Sequence, residues 1–136
     1  MGERVARCGV IKDSDLVGSY KELDIYKEAK ELALKVHAES LKLPKFELYE
    51  QGSQIRRASK TIKDTIAEGY GRRRYKADFI KFLIYAHASN DEVLSQLDTL
   101  KELYPEQLFW KDIEPEYDTL GRKINKFINY VENNWK

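Results

Sequence analysis

Few side chains in this sequence could do chemistry, and most are poorly spaced for it. Asp91 and Glu92 are adjacent, so on a helix they point about 100° apart and cannot face each other as an acid–base pair. Ser89 has no His and Asp at the order or spacing of a nucleophile triad. His37 and His87 have no cysteine or second histidine at ligand spacing, which argues against a metal centre. Gly69-Tyr70-Gly71 lacks the further glycine and the lysine of a phosphate-binding loop. No enzyme and no cofactor are expected. What remains is cationic: between Gln54 and Lys81 nine basic residues stand against three acidic ones, although the whole chain carries only +1. A surplus of six there leaves the rest of the chain at minus five, an asymmetry that speaks to partners rather than to fold.

Within that segment two groups of cations differ in character. Arg56, Lys60 and Lys63 are spaced by four and three and form one row on a helix, where Lys60 can pair with Asp64. Such exposed pairs contribute about 0.3–0.5 kcal/mol each and need no ligand. The run "GRRRYK" places Arg72, Arg73, Arg74 and Lys76 at a helix junction with no acid among them, although Glu68 can pair with Arg72. A helix start offers N–H groups and partial positive charge to a phosphate, and Tyr70 and Tyr75 could stack on unpaired bases. The candidate nucleic-acid contacts are therefore Arg72, Arg73, Arg74, Lys76, Arg56, Lys60, Lys63 and Lys81. The contact they would make is sensitive to salt and tolerant of sequence.

The elements that must position these residues follow from apolar spacing. One helix is predicted from about Tyr20 to Leu41, ended by Pro44. A second runs from about Glu47 to Tyr70, with Leu48, Ile55, Ile62 and Gly69 at heptad spacing. A third spans about Arg74 to Tyr104, with Phe79, Leu83, Ala86, Asn90, Val93, Leu97, Leu100 and Tyr104 on one stripe. The connector "PEQLFWKDIEP" leads to a last helix with Pro115 in its first turn and Ile113, Tyr117, Leu120, Ile124, Phe127, Val131 and Trp135 as its stripe. The fold class is all-α, an antiparallel up-down four-helix bundle over 20–136, preceded by a flexible N-terminal arm at 1–19. No apolar run approaches the roughly 20 residues of a membrane span. The start lacks a secretory signal, and the single cysteine, Cys8, agrees with a reducing cytoplasm.

Two helices carry more apolar surface than one core requires. The third adds Ile80, Ile84 and Leu94 on a neighbouring face, and the first adds Leu23, Leu34, Ala38 and Leu41. A helix apolar on two sides is buried on two sides, so self-association is expected. His87 lies on this second face as an interface histidine, and Arg57, Glu68 and Glu92 are candidates for ion pairs across it.

The ordered set Pro44, Glu47, Gln54, Arg56, Arg57, Ala58, Ile62, Ile66, Ala67, Glu68, Gly69, Arg72, Phe79, Phe82, Leu83, Ser89 and Glu92 resembles the four-helix-bundle family named for 23S rRNA intervening sequences. Accessory variability determinants of diversity-generating retroelements look like relatives of that family. The likeness covers roughly residues 20 to 100 and departs from the usual pattern at Gln51, Thr65 and Ala88. It implies an up-down bundle assembled as a homopentamer. From the retroelement relatives it implies a basic surface that contacts RNA or DNA, and a reverse transcriptase as partner. The alternative is an adaptor whose basic face and acidic half (Asp91, Glu92, Asp98, Glu102, Glu106, Asp112, Glu114, Glu116, Asp118) serve assembly and protein partners alone.

Overall fold

A computed structural model describes residues 18–135. Four long helices carry the fold: α1 (Asp24–Ser40), α2 (Gln51–Gly71), α3 (Lys76–Leu103) and, after a single helical turn α4 (Phe109–Asp112), α5 (Glu114–Asn134). Two short 3-10 segments, Tyr20–Glu22 and Lys45–Tyr49, precede α1 and α2. There is no strand among the described residues. The arm expected at 1–19 lies outside them except for Gly18 and Ser19.

Boundaries moved where local chemistry overrides periodicity. Tyr20–Glu22 forms a separate turn because the Ser19 hydroxyl accepts the Lys21 N–H at 3.1 Å, ending in an extended Leu23 before α1 begins. The second helix begins at Gln51 rather than Glu47: the chain emerging from Pro44 winds tightly first, and Glu50 breaks out of helical geometry (φ −119°, ψ −107°). Arg74 and Tyr75 belong to the turn, so α3 starts at Lys76. The connector between Pro105 and Pro115 holds the turn α4, whose Trp110 is fully buried. Pro115 sits in the first turn of α5 as predicted, where its missing N–H removes no helical bond.

The helices pack as a closed ring in which α1 lies on α2 and α5, and α3 lies on the same two. Every predicted core position of α5 from Ile113 to Val131 is buried, as are Ile55, Ile62 and Ile66 of α2 and Phe79, Leu83, Val93, Leu97 and Leu100 of α3. Gly69 permits the close crossing of α2 over α3. A Cβ there would lie 2.9 Å from the Cβ of Phe82, an atom that only backbone movement could displace.

Polar contacts finish each end of the bundle. At one end, the buried Glu47 carboxylate accepts the Gln51 N–H through Oε1 at 3.1 Å and the Tyr104 hydroxyl through Oε2. Gln107 of the connector donates to the Glu39 carboxylate at 2.9 Å. At the other end, the Tyr70 hydroxyl donates to Gly18 O at 3.2 Å, and the Trp135 indole donates to Arg73 O at 3.3 Å.

The bond to Glu47 is the leading reason that the Tyr104 phenol is pushed up to about 12 from its ordinary 10. A folded value above the unfolded one means that the folded chain holds this proton longer. The contribution is whole below about pH 10 and is lost as pH rises through about 12. In an alkaline titration followed by tyrosinate absorbance, Tyr104 is expected to ionise after most of the nine tyrosines, accompanied by Tyr117, which burial raises. Tyr104→Phe should remove one late-ionising group and flatten the loss of stability over that pH interval.

Candidate nucleic-acid surface at the turn between α2 and α3

The arginine run occupies the four-residue turn 72–75, between the end of α2 at Gly71 and the start of α3 at Lys76. Its members have separate tasks. Arg72 bridges two carboxylates, Glu68 at 3.4 Å and Asp78 at 3.8 Å, and its guanidinium lies 4.8 Å from the centre of the Phe82 ring. The Glu68–Arg72 pair is the one the spacing predicts; Asp78 comes from the first turn of α3. Arg73 folds back over Tyr70, 4.1 Å from the ring centre, and donates to the Tyr70 carbonyl at 2.9 Å. Lys76 reaches the last helix and donates to Glu132 O at 2.8 Å, which places a cation at the negative end of α5. Arg74 is exposed and has no carboxylate partner among the described residues. It lies 5.9 Å from the ring centre of Tyr75, itself 63% exposed.

The expected pair of base-stacking tyrosines is corrected by this geometry. Tyr70 is buried, edge-on to Phe79 at 6.2 Å, so a base cannot stack on it; Tyr75 alone of the two is open to a ligand. The spacing Ile62, Ile66, Tyr70 continues the buried stripe of α2 by fours, a signal in the sequence that points to the core.

The row on α2 also divides. Arg56 is built into the fold, with Nη1 donating to Ser40 Oγ at 2.9 Å and Nη2 to Leu48 O at 2.7 Å. Its fork therefore holds the end of α1 and the segment before α2. Lys63, not Lys60, takes Asp64, at 2.7 Å, and that bond is the first cause of its raised pKa. Lys60 and Lys81 have no ion pair among the described residues. Of the eight cations assigned to a ligand from the sequence, Arg74, Lys60 and Lys81 have neither a side-chain hydrogen bond nor an ion pair among the described residues. Arg56 and Lys76 are held by neutral oxygens, and Arg72 keeps about half its side-chain surface in water beside its carboxylates.

On the second face of α3, Ile84 is 50% exposed, while Ile80, His87 and Leu94 are half-buried. His87 Nδ1 lies 3.7 Å from Asp91. Glu68 is engaged by Arg72 within the chain, and Glu92 accepts from Gln96 at 3.2 Å. Arg57 is exposed, with no side-chain partner among the described residues.

Sequence reasoning missed the Glu47–Tyr104 bond, because it joins residues 57 apart across the end of the bundle. A glutamate just after Pro44 at a helix break was the available signal.

Together, these elements define an all-helical protein built as a four-helix bundle with a cationic turn at one end and no strand among its described residues. The model of the 23S rRNA-intervening sequence protein family matches residues 21–126, and the chain belongs to that family. No curated protein matches the chain. None of the described helices is long and apolar enough to cross a membrane.

Proposed function

We propose that this chain is a non-enzymatic cytoplasmic bundle, its successive helices antiparallel, that assembles with copies of itself and binds the backbone of RNA or DNA. The observation that carries the binding reading is Arg74 beside Tyr75: an exposed cation without a carboxylate, next to an exposed ring, at the junction where α3 begins. Arg72 and Arg73 frame that pair and fix the path of the turn. The family's name, which refers to an intervening sequence of 23S rRNA, supports a nucleic-acid role.

Assembly is supported by where the spare apolar surface lies. Leu34 on α1 and Leu41 just past its end are exposed, as are Ile84 and Tyr85 on α3. Helices α1 and α3 occupy opposite positions in the ring of four, so the two patches face different ways. Two unlike patches join head to tail, and such contacts close into rings when the rotation permits. A homopentamer is one such ring. Repetition of the Arg74 site around it would raise a weak phosphate contact by avidity, and a reverse transcriptase is a fitting recipient of the bound strand.

The test is fluorescence anisotropy of a labelled stem-loop RNA at about 50 and 200 mM salt. Arg74→Glu, and separately Lys60→Glu with Lys81→Glu, should weaken binding and lower the salt slope by about one for each phosphate that loses its cation. Arg72 and Arg73 are left intact because they belong to the turn's framework. Unchanged affinity in Arg74→Glu, or no binding at the lower salt, would overturn the reading. The adaptor alternative rests on the partners already taken by Arg56, Lys63, Arg72 and Lys76; it expects no RNA binding by an intact assembly.

A further inference from the structure

The outer surface of α1 is divided by charge. Asp24, Glu28 and Glu31 lie about 40–100° round the helix from Lys27 on the side toward α5. There Glu28 takes Lys123, and Lys35 meets both Glu31 at 3.8 Å and Glu116 at 3.9 Å. On the side toward α2 lies a groove of about 280 Å³, lined by Lys21, Tyr26, Lys27, Lys30, Leu34 and, from the acidic side, Glu31. Lys21, Lys27 and Lys30 are exposed, with neither a side-chain hydrogen bond nor an ion pair among the described residues. Glu22, in the same short segment as Lys21, is exposed as well. The α2 wall is also cationic. Arg56 touches α1 through Ser40 at 2.9 Å, and Lys63 lies within electrostatic reach of Tyr26 and Tyr20. Lys60, between Arg56 and Lys63 on the same row, is half-buried without a carboxylate. The floor is apolar: Leu34 is 62% exposed, and the half-buried Tyr26 stands edge-on to Tyr20 at 4.9 Å.

We propose that this groove takes an unpaired nucleic-acid strand, extending along α1 the contact made at the Arg74–Tyr75 turn. The proposal rests on the nucleic-acid reading of that turn. The two places meet at one end of the bundle, where the Tyr70 hydroxyl, in the last turn of α2, donates to Gly18 O at 3.2 Å, three residues before Lys21. Charge complementarity selects an anion. Lys27 and Lys30 are three apart on one helix face and repel each other, and a phosphate between them offsets that repulsion. Lysines act as separate point charges, which suits phosphates strung along a flexible backbone. The apolar floor selects the unpaired strand. A duplex turns its bases inward and would leave Tyr26 and Leu34 uncovered, whereas a single strand can lay base and ribose surface on them.

The test compares oligouridylates of about 4 and about 16 nucleotides with a blunt hairpin duplex. Fluorescence anisotropy at about 50 and 200 mM salt is read for the full chain, for Lys27→Gln with Lys30→Gln, and for Leu34→Ser. Lengthening the strand should raise the parent's affinity by about tenfold or more, since only the longer one reaches both turn and groove. The lysine variant should lose most of that gain, and its salt slope for the long strand should fall by about 1.4, the value for two phosphates of a single strand. Leu34→Ser keeps every charge and should weaken the long strand but not the hairpin. Unfolding midpoints check that these substitutions at exposed positions leave the chain folded. A length gain that persists in the lysine variant overturns the groove and leaves the turn standing. Equal losses for strand and hairpin overturn the choice of an unpaired strand. A parent chain that binds neither at the lower salt overturns the nucleic-acid reading itself, a result distinct from both.

Discussion

Phe79→Ala is expected to lower stability by about 3–5 kcal/mol. Phe79 is fully buried where α2, α3 and α5 meet. Its ring is edge-on to Tyr70 at 6.2 Å, to Phe127 at 5.9 Å and to Trp135 at 5.0 Å. Truncation removes the transfer energy of the ring together with those aromatic pairings. Gly69, beside it on α2, has no side chain with which to fill the void. Against a typical domain stability of about 5–15 kcal/mol, this is a large fraction. Urea unfolding should show a lower midpoint with an unchanged slope. Phe79→Leu, which refills most of the volume, should lose less than half as much. A loss under about 1 kcal/mol in the alanine variant would mean that the site collapses freely, contrary to the packing described.

Glu47→Ala is expected to produce the second large loss, about 2–4 kcal/mol, and for a different reason. The carboxylate is 3% exposed and serves two donors, the Gln51 N–H at the start of α2 and the Tyr104 hydroxyl. Removing it takes the acceptor from both: the half-buried Tyr104 hydroxyl can turn to water, whereas a backbone N–H left without a partner beneath the bundle costs about 1–3 kcal/mol. It also deletes a negative charge from the positive end of α2, worth about 0.3–1 kcal/mol. Glu47→Gln keeps a side-chain oxygen acceptor and should cost less than half the alanine value. Tyr104→Phe removes only one donor and should fall lower still in the series. Thermal unfolding of the three variants at neutral pH gives that order. If Gln and Ala proved equally harmful, the charge rather than the hydrogen bonds would be holding this end together.

The elements that could be read from the sequence were those with long, one-sided periodicity. The stripe from Ile113 to Val131 and the series Phe79 to Leu100 are buried as their spacing requires, because a repeat near 3.6 residues has only one helical reading. Short segments were not legible. Trp110 sits in a one-turn helix between two prolines, too short for any period to register. The candidate site was legible in composition but only in part in pairing: Glu68 with Arg72 followed from the spacing, the others did not. That Asp64 would take Lys63 rather than Lys60 depends on rotamers, and the reach of Arg72 to Asp78 depends on the path of a four-residue turn. The partners that Arg73 and Lys76 find near the end of α5 lie beyond any local pattern.

Those distant partners bear on the order in which the chain becomes competent. Lys76 bonds to Glu132 and the Arg73 carbonyl to Trp135, separations of 56 and 62 residues. Contacts across such separations close late, since the intervening loop must first lose its freedom. A chain emerging from synthesis can wind α2 and α3 long before Glu132 and Trp135 are available. Its arginine turn takes final shape only when α5 docks. If the turn binds nucleic acid as proposed, grip on it would then report that folding is complete, and a half-made chain would have little hold.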